Sequence, residues 1–167
     1  MVDDITVVYH GKIDRVDLFE KKVLILDFKT GKVESDKLKV LYDLEDIFED
    51  SSYKQAFQLL SYAFLYHKES SEYAHIKTDT YECGIASLQS LVSNNPNYIH
   101  LLKIEENNKT TSSEITTKIL GEFEAQLIDL FRNLFDAKMD FHQTENLDHC
   151  KYCDYQSICK RQNVDFA

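Results

Sequence analysis

The chain has 167 residues, of which 19 are basic and 29 acidic, giving a net charge of −10. One proline and four glycines exclude collagen-like, linker and disordered classes, and the length suits one domain with a real core. No apolar run reaches the length of a membrane span and no secretory leader is visible, so a cytoplasmic protein away from membranes is expected; the acidic balance counts against phosphate binding by surface lysines alone.

The predicted elements begin with strands. Residues 5–9 form a β-branched run, 13–19 a second strand and 22–30 a third, with Glu20-Lys21 as the polar turn of a hairpin. In the third strand Val23, Ile25, Asp27 and Lys29 share one face, and Leu24, Leu26 and Phe28 the other. A strand apolar on both faces is a central one, so an acid and a lysine at its end ask for a reason. Residues 31–50 read as a loop with a short helical piece at 41–48. A helix is predicted over 53–68, capped by Ser52 and Gln55, with Ala56, Leu59, Leu60, Ala63 and Phe64 as its apolar stripe. Strands follow at 80–86 and 98–104, separated by a polar stretch with Asn94-Asn95-Pro96. A long helix over 112–139 carries Ile115, Ile119, Phe123, Leu127, Leu130, Leu134 and Phe135 at helical spacing, with Thr111 and Glu114 as its capping pair. The tail from His142 holds three of the four cysteines and has little periodicity.

Two segments carry candidate chemistry: Gly11-Lys12-Ile13-Asp14-Arg15-Val16-Asp17 and Leu26-Asp27-Phe28-Lys29-Thr30-Gly31. They lie on consecutive strands of one predicted hairpin, which brings Asp14 towards Asp27. Two carboxylates at a sheet end make a site for a hard divalent cation, Mg2+ first. Such a cation polarises a phosphoryl oxygen, lowers the pKa of bound water and inverts the local charge. Lys29 shares the face of Asp27, where its ammonium can orient the attacking water and offset phosphate charge. On spacing alone, this competes with a plainer reading of strand-end Asp and Lys as solvated charges or a surface ion pair.

The same segments closely resemble the RecB-type branch of the PD-(D/E)XK nuclease superfamily, whose AddB and RecB helicase–nuclease subunits carry the nearest nuclease domains. The resemblance implies an α/β, restriction-endonuclease-like core, a mixed sheet flanked by helices, with a C-terminal cysteine tail. It implies Asp14 and Asp27 as metal ligands, the Phe28 backbone carbonyl as a further ligand and Lys29 as the catalytic lysine. It also implies a helical Gln with a Tyr four residues later, matched here by Gln58 and Tyr62, which share one helix face and would support the lysine or contact the DNA backbone. As plain residues they would be a solvated glutamine and a core tyrosine. The implied activity is Mg2+- or Mn2+-dependent hydrolysis of DNA, exonuclease sooner than endonuclease. Its setting would be a helicase–nuclease of double-strand-break repair, with DNA and a helicase domain or subunit as partners. The leading helix of that fold is not seen, so the sequence is expected to be a piece of a larger protein.

Cys150, Cys153 and Cys159 are the second signal. Thiolates two apart in a loop can share one metal, and a third nearby completes most of a tetrahedral set. Members of the resembled branch hold a 4Fe–4S cluster whose last three ligands have this spacing and whose first lies far upstream. No cysteine precedes Cys83 here. The fourth ligand is then outside this sequence, or is Cys83, or is His142 or His149 of a Zn2+ site. Otherwise the thiols are free and the tail is held by Tyr152, Tyr155 and Ile158. The expected organisation is a single nuclease domain over 1–167 with the cysteine tail at 142–167. The alternative is a non-catalytic zinc- or cluster-stabilised domain that binds nucleic acid or protein.

Overall fold

A computed structural model of the chain describes residues 5–19, 22–31, 33–72, 78, 80–92, 97–106, 110–151 and 153–161. The expected turn at Glu20-Lys21, the stretch Asn94-Asn95-Pro96 and Tyr152 lie outside the described residues. The chain divides into two units, Met1–Arg132 and Asn133–Ala167.

The first unit holds β1 (Arg15–Phe19), β2 (Lys22–Lys29), β3 (Lys39–Leu41), α1 (Glu45–Glu49), α2 (Lys54–Glu72), β4 (Thr80–Ser87) and α3 (Leu88–Val92). It continues with β5 (Ile99–Leu101), β6 (Lys103–Glu106), β7 (Thr110–Ser112), β8 (Ile115–Thr116) and most of α4 (Thr117–Phe135). β2 is a central strand, as its two apolar faces require. It runs antiparallel to β1, with Arg15 opposite Leu26, and parallel to β4, with Asp27 beside Ile85 and Lys29 beside Ser87. β4 in turn pairs antiparallel with β5 and β8. A second sheet joins β3 parallel to β6, and β6 antiparallel to β7. The result is the expected α/β class with mixed sheets and flanking helices.

The core forms because the apolar stripe of α2 meets one face of this sheet. Leu59, Leu60 and Ala63 are buried in one cluster with Val23, Ile25, Tyr81, Ile85, Ile119, Leu120 and Phe123. Each fully buried leucine or isoleucine contributes about 1.5–3 kcal/mol. The same burial fixes the register of β2, since a slip of one residue would turn Asp27 and Lys29 to the opposite face.

Several local expectations are corrected. Residues 6–13 form no strand; the first predicted strand is reduced to a bridge at Ile5, and the hairpin of β1 and β2 stands without it. The predicted strand over 98–104 is two strands broken at Leu102. This fully buried residue donates its N–H to Cys83 O at 2.8 Å, and the chain changes sheet there. β3, read as loop, is held by its pairing with β6. Ser52 and Gln55 make no capping box: Asp50 accepts from Ser52 N (2.8 Å) and Ser52 Oγ (2.7 Å), while buried Gln55 Oε1 has no hydrogen-bond partner among the described residues. The long helix starts at Thr117 and ends at Phe135. Glu114 N instead donates to Ser112 Oγ at 3.0 Å, and Thr116 Oγ1 accepts from Ile119 N at 3.4 Å. Of its stripe, Ile119, Phe123 and Leu127 are buried, whereas Leu130, Leu134 and Phe135 are exposed.

The second unit is irregular, with a short 3-10 turn at Leu147–Cys150. Tyr155 and Ile158 are 66% and 75% exposed and so do not anchor it. Polar groups tie it instead: Arg161 donates to Thr144 O at 2.6 Å and Gln143 to Cys159 O at 3.3 Å, and Gln156 bonds Cys150 O. Among the described residues no helix is long and apolar enough to cross a membrane.

Candidate active site

Asp27 closes the buried run of β2. It follows Val23 and Ile25 on the face covered by α2, and only 4% of it is exposed. A buried carboxylate costs several kcal/mol unless it is partnered, and two groups meet it. Gln58 Nε2, from α2, donates to Asp27 Oδ1 at 3.2 Å. Lys29 Nζ lies 2.9 Å from Asp27 Oδ2, and it donates to Gln58 Oε1 at 3.0 Å. Gln58 Nε2 uses its second hydrogen on Tyr62 OH, at 2.7 Å. The amide thus spends both donors and its oxygen on three side chains, which fixes its orientation. The four residues the sequence singled out on β2 and α2, Asp27, Lys29, Gln58 and Tyr62, form one connected network.

Asp14 joins beside that network. Its Oδ2 accepts the backbone N–H of Phe28 at 2.9 Å. This is one step beyond the last paired rung of the hairpin, Arg15 with Leu26, so Asp14 and Asp27 stand on neighbouring strand ends. Asp14 itself is exposed. Gly11 explains why the chain approaches so closely here: a Cβ at this position would lie 3.1 Å from Leu65 Cδ1 and 3.3 Å from Tyr62 Cε1.

The contact between Lys29 and Asp27 Oδ2 is an ion pair by distance only. That oxygen is buried and has no hydrogen-bond partner among the described residues. An under-satisfied buried carboxylate oxygen, next to a second carboxylate with a free oxygen, is what a hard divalent cation fits. Lys29 supplies the compensating charge in this structure. Mg2+ usually takes one or two carboxylates and keeps several waters, so two protein carboxylates suffice. Two cavities of about 560 and 400 Å3 lie along residues 33–39 and 97–103. Neither is lined by Asp14, Asp27 or Lys29, and the carboxylate cluster sits at the strand ends.

A model of the PD-(D/E)XK nuclease superfamily matches residues 3–160. The chain belongs to the PD-(D/E)XK nuclease superfamily. No solved structure matches it. Members of this superfamily are nucleases that typically use Mg2+ or Mn2+, and the mixed sheet flanked by helices is consistent with the restriction-endonuclease-like fold of such nucleases.

The three tail cysteines are not gathered as a ligand set. No group of three or more His, Cys, Asp or Glu side chains among the described residues is placed to hold a metal. Cys150 Sγ instead accepts from Arg161 at 3.3 Å, and Cys153 Sγ from Tyr155 N at 3.4 Å. Cys83 is fully buried in β4, and burial pushes its thiol far above the ordinary range. As placed, the described cysteines do not form a cluster or zinc site.

Two residues beside the candidate site escaped the sequence reading. Tyr9 OH donates to Ser61 Oγ at 2.5 Å, and Ser61 Oγ donates to Phe57 O at 2.7 Å. The signal was a serine between Leu60 and Tyr62, on a helix otherwise buried along that side; a polar residue there needs a partner.

Proposed function

We propose that this chain is a Mg2+- or Mn2+-dependent DNA nuclease module of the RecB/AddB type, working as an exonuclease beside a helicase domain or subunit. The observation that carries the reading is the buried carboxylate of Asp27, ion-paired to Lys29, hydrogen-bonded to Gln58 and standing beside exposed Asp14 on the neighbouring strand end. A surface ion pair would have no reason to be buried and networked. Asp14 and Asp27 would hold the cation, with the Phe28 carbonyl as a further ligand. When bound, the cation supplies Lewis-acid polarisation of the phosphoryl oxygen and a water of lowered pKa.

The residues divide the remaining work. Lys29 lies two residues along the strand from Asp27, and its Nζ is held by Gln58 Oε1. It orients the attacking water and offsets charge that grows on the scissile phosphate, a stabilisation that needs a preorganised donor. Gln58 sets the position of Lys29, and Tyr62 OH sets that of Gln58. The phosphodiester P–O bond to the leaving oxygen breaks as the water oxygen bonds to phosphorus; the attacking water gives up a proton to solvent and the leaving oxygen takes one from solvent.

The test is cleavage of end-labelled linear DNA by the purified chain with Mg2+, with Mn2+ and with EDTA. Loss of label with either metal and none with EDTA supports the reading. Cleavage that persists in EDTA, or none with either metal, counts against it.

A further inference from the structure

Residues 6–13 belong to no strand or helix, so the β1–β2 ladder, whose last rung is Arg15 with Leu26, holds Asp14 from one side only. From the other side the segment is held by side-chain contact with one stretch of α2. The half-buried Tyr9 donates to Ser61 Oγ at 2.5 Å, and its ring meets Phe131 edge-on at 6.1 Å. Ser61 is 6% exposed and spends its only proton on Phe57 O, so the hydrogen between Tyr9 and Ser61 comes from Tyr9. Two residues on, Gly11 rests against Tyr62 and Leu65. Gln58 and Tyr62, which hold Lys29 and Asp27, sit on that same stretch of helix.

We infer that Tyr9 is a positioning residue: its hydrogen bond to Ser61 latches the Asp14 segment to the helix that orients Lys29, so that both halves of the carboxylate centre share one reference. The inference rests on the nuclease reading for its purpose. The latch itself does not depend on it. With the latch broken, Asp14 keeps its contact with Phe28 N and its paired neighbour Arg15, and the entropy of the loose segment before it works against that contact.

Amide hydrogen exchange on the full chain tests the latch without metal. Tyr9→Phe, which keeps the ring and removes the hydroxyl, should speed exchange at Phe28 N–H about tenfold, the usual worth of one hydrogen bond. Exchange in β4 should not change. Ser61→Ala should act alike, the double variant should be no worse than either single, and Ser61→Thr should stay near the wild type. Unchanged exchange at Phe28 in Tyr9→Phe overturns the latch, whatever the metal does. Calorimetric titration with Mn2+ is the second arm. If the wild type binds and Tyr9→Phe binds about tenfold more weakly, the latch serves the metal centre. If the wild type binds and Tyr9→Phe binds equally, its positioning role is refuted and the nuclease reading stands. A wild type that binds no Mn2+ refutes the positioning role and counts against the metal-centre reading, while the exchange result still decides whether the latch exists.

Discussion

Asp14 Oδ2 accepts the N–H of Phe28, the residue that follows Asp27, at 2.9 Å. The bond crosses the open end of the hairpin, where backbone pairing has stopped, and keeps the two carboxylates on adjacent strand ends. It uses one oxygen of Asp14 and leaves the other for a ligand.

Lys29→Met should lose most of the cleavage rate and keep Mn2+ affinity, because an ammonium does not ligate a metal. Removing one preorganised charge from a transition state costs about a hundredfold or more. Calorimetry showing that Lys29→Met no longer binds Mn2+ would contradict this division of roles.

Gln58→Ala should lower kcat by about 10–100-fold, the usual cost of losing a group that orients an active residue. Tyr62→Phe should do less. Because Gln58 and Tyr62 act through one hydrogen bond of 2.7 Å, the double variant should fall short of the summed effects. Full additivity in a double-mutant cycle would separate the two residues.

The α/β class was legible from the strand and helix pattern, and the shared face of Asp27 and Lys29 from their period-two placement. Gln58 and Tyr62 were singled out only by the resemblance to the nuclease family; their four-residue spacing alone reads equally as a solvated glutamine and a core tyrosine. The short strand β3 was not legible, since its partner β6 lies more than 60 residues on in the chain, and nor was the break at Leu102, since β5 pairs with β4 while β6 pairs with distant β3. The helix start was misread because Asp50 competes with Gln55 for Ser52 N, and a charged acceptor makes the stronger bond. Tyr155 and Ile158 looked like anchors by type, but type alone does not report what covers a side chain.

Asp50→Ala should destabilise the start of α2 by about 1 kcal/mol. Its hydrogen bonds to Ser52 hold the Asp50 carboxyl below the ordinary range. A folded-state pKa below the unfolded one gives stability that is present above about pH 4 and lost as pH falls through the folded value. Thermal melts of wild type and Asp50→Ala should therefore converge in acid; a constant gap from pH 7 to pH 2 would refute the assignment.

Gly84→Ala should be the most damaging glycine substitution. A Cβ there would stand 3.0 Å from the backbone oxygen of His100, which cannot move without parting β4 from β5. Overpacking of this kind costs about 1–3 kcal/mol. Gly31→Ala meets nothing within 4 Å and should be near neutral. Urea denaturation that ranks Gly31→Ala as the worse variant would reverse this account.

Native alkylation with iodoacetamide should label Cys153 and Cys159, which are partly exposed, and spare the fully buried Cys83. Mass spectrometry of peptides reads this directly. Early labelling of Cys83 would mean that β4 opens readily.

The central claim is that Asp27 anchors a metal-dependent cleaving centre. Asp27→Asn keeps the shape and an acceptor for Gln58, and removes the charge. Single-turnover cleavage of end-labelled linear DNA with saturating Mn2+ tests the claim most directly, with folding checked by circular dichroism. The account predicts metal-dependent cleavage by the wild type and a loss of about a hundredfold or more in Asp27→Asn. Equal rates for the two folded proteins would contradict it.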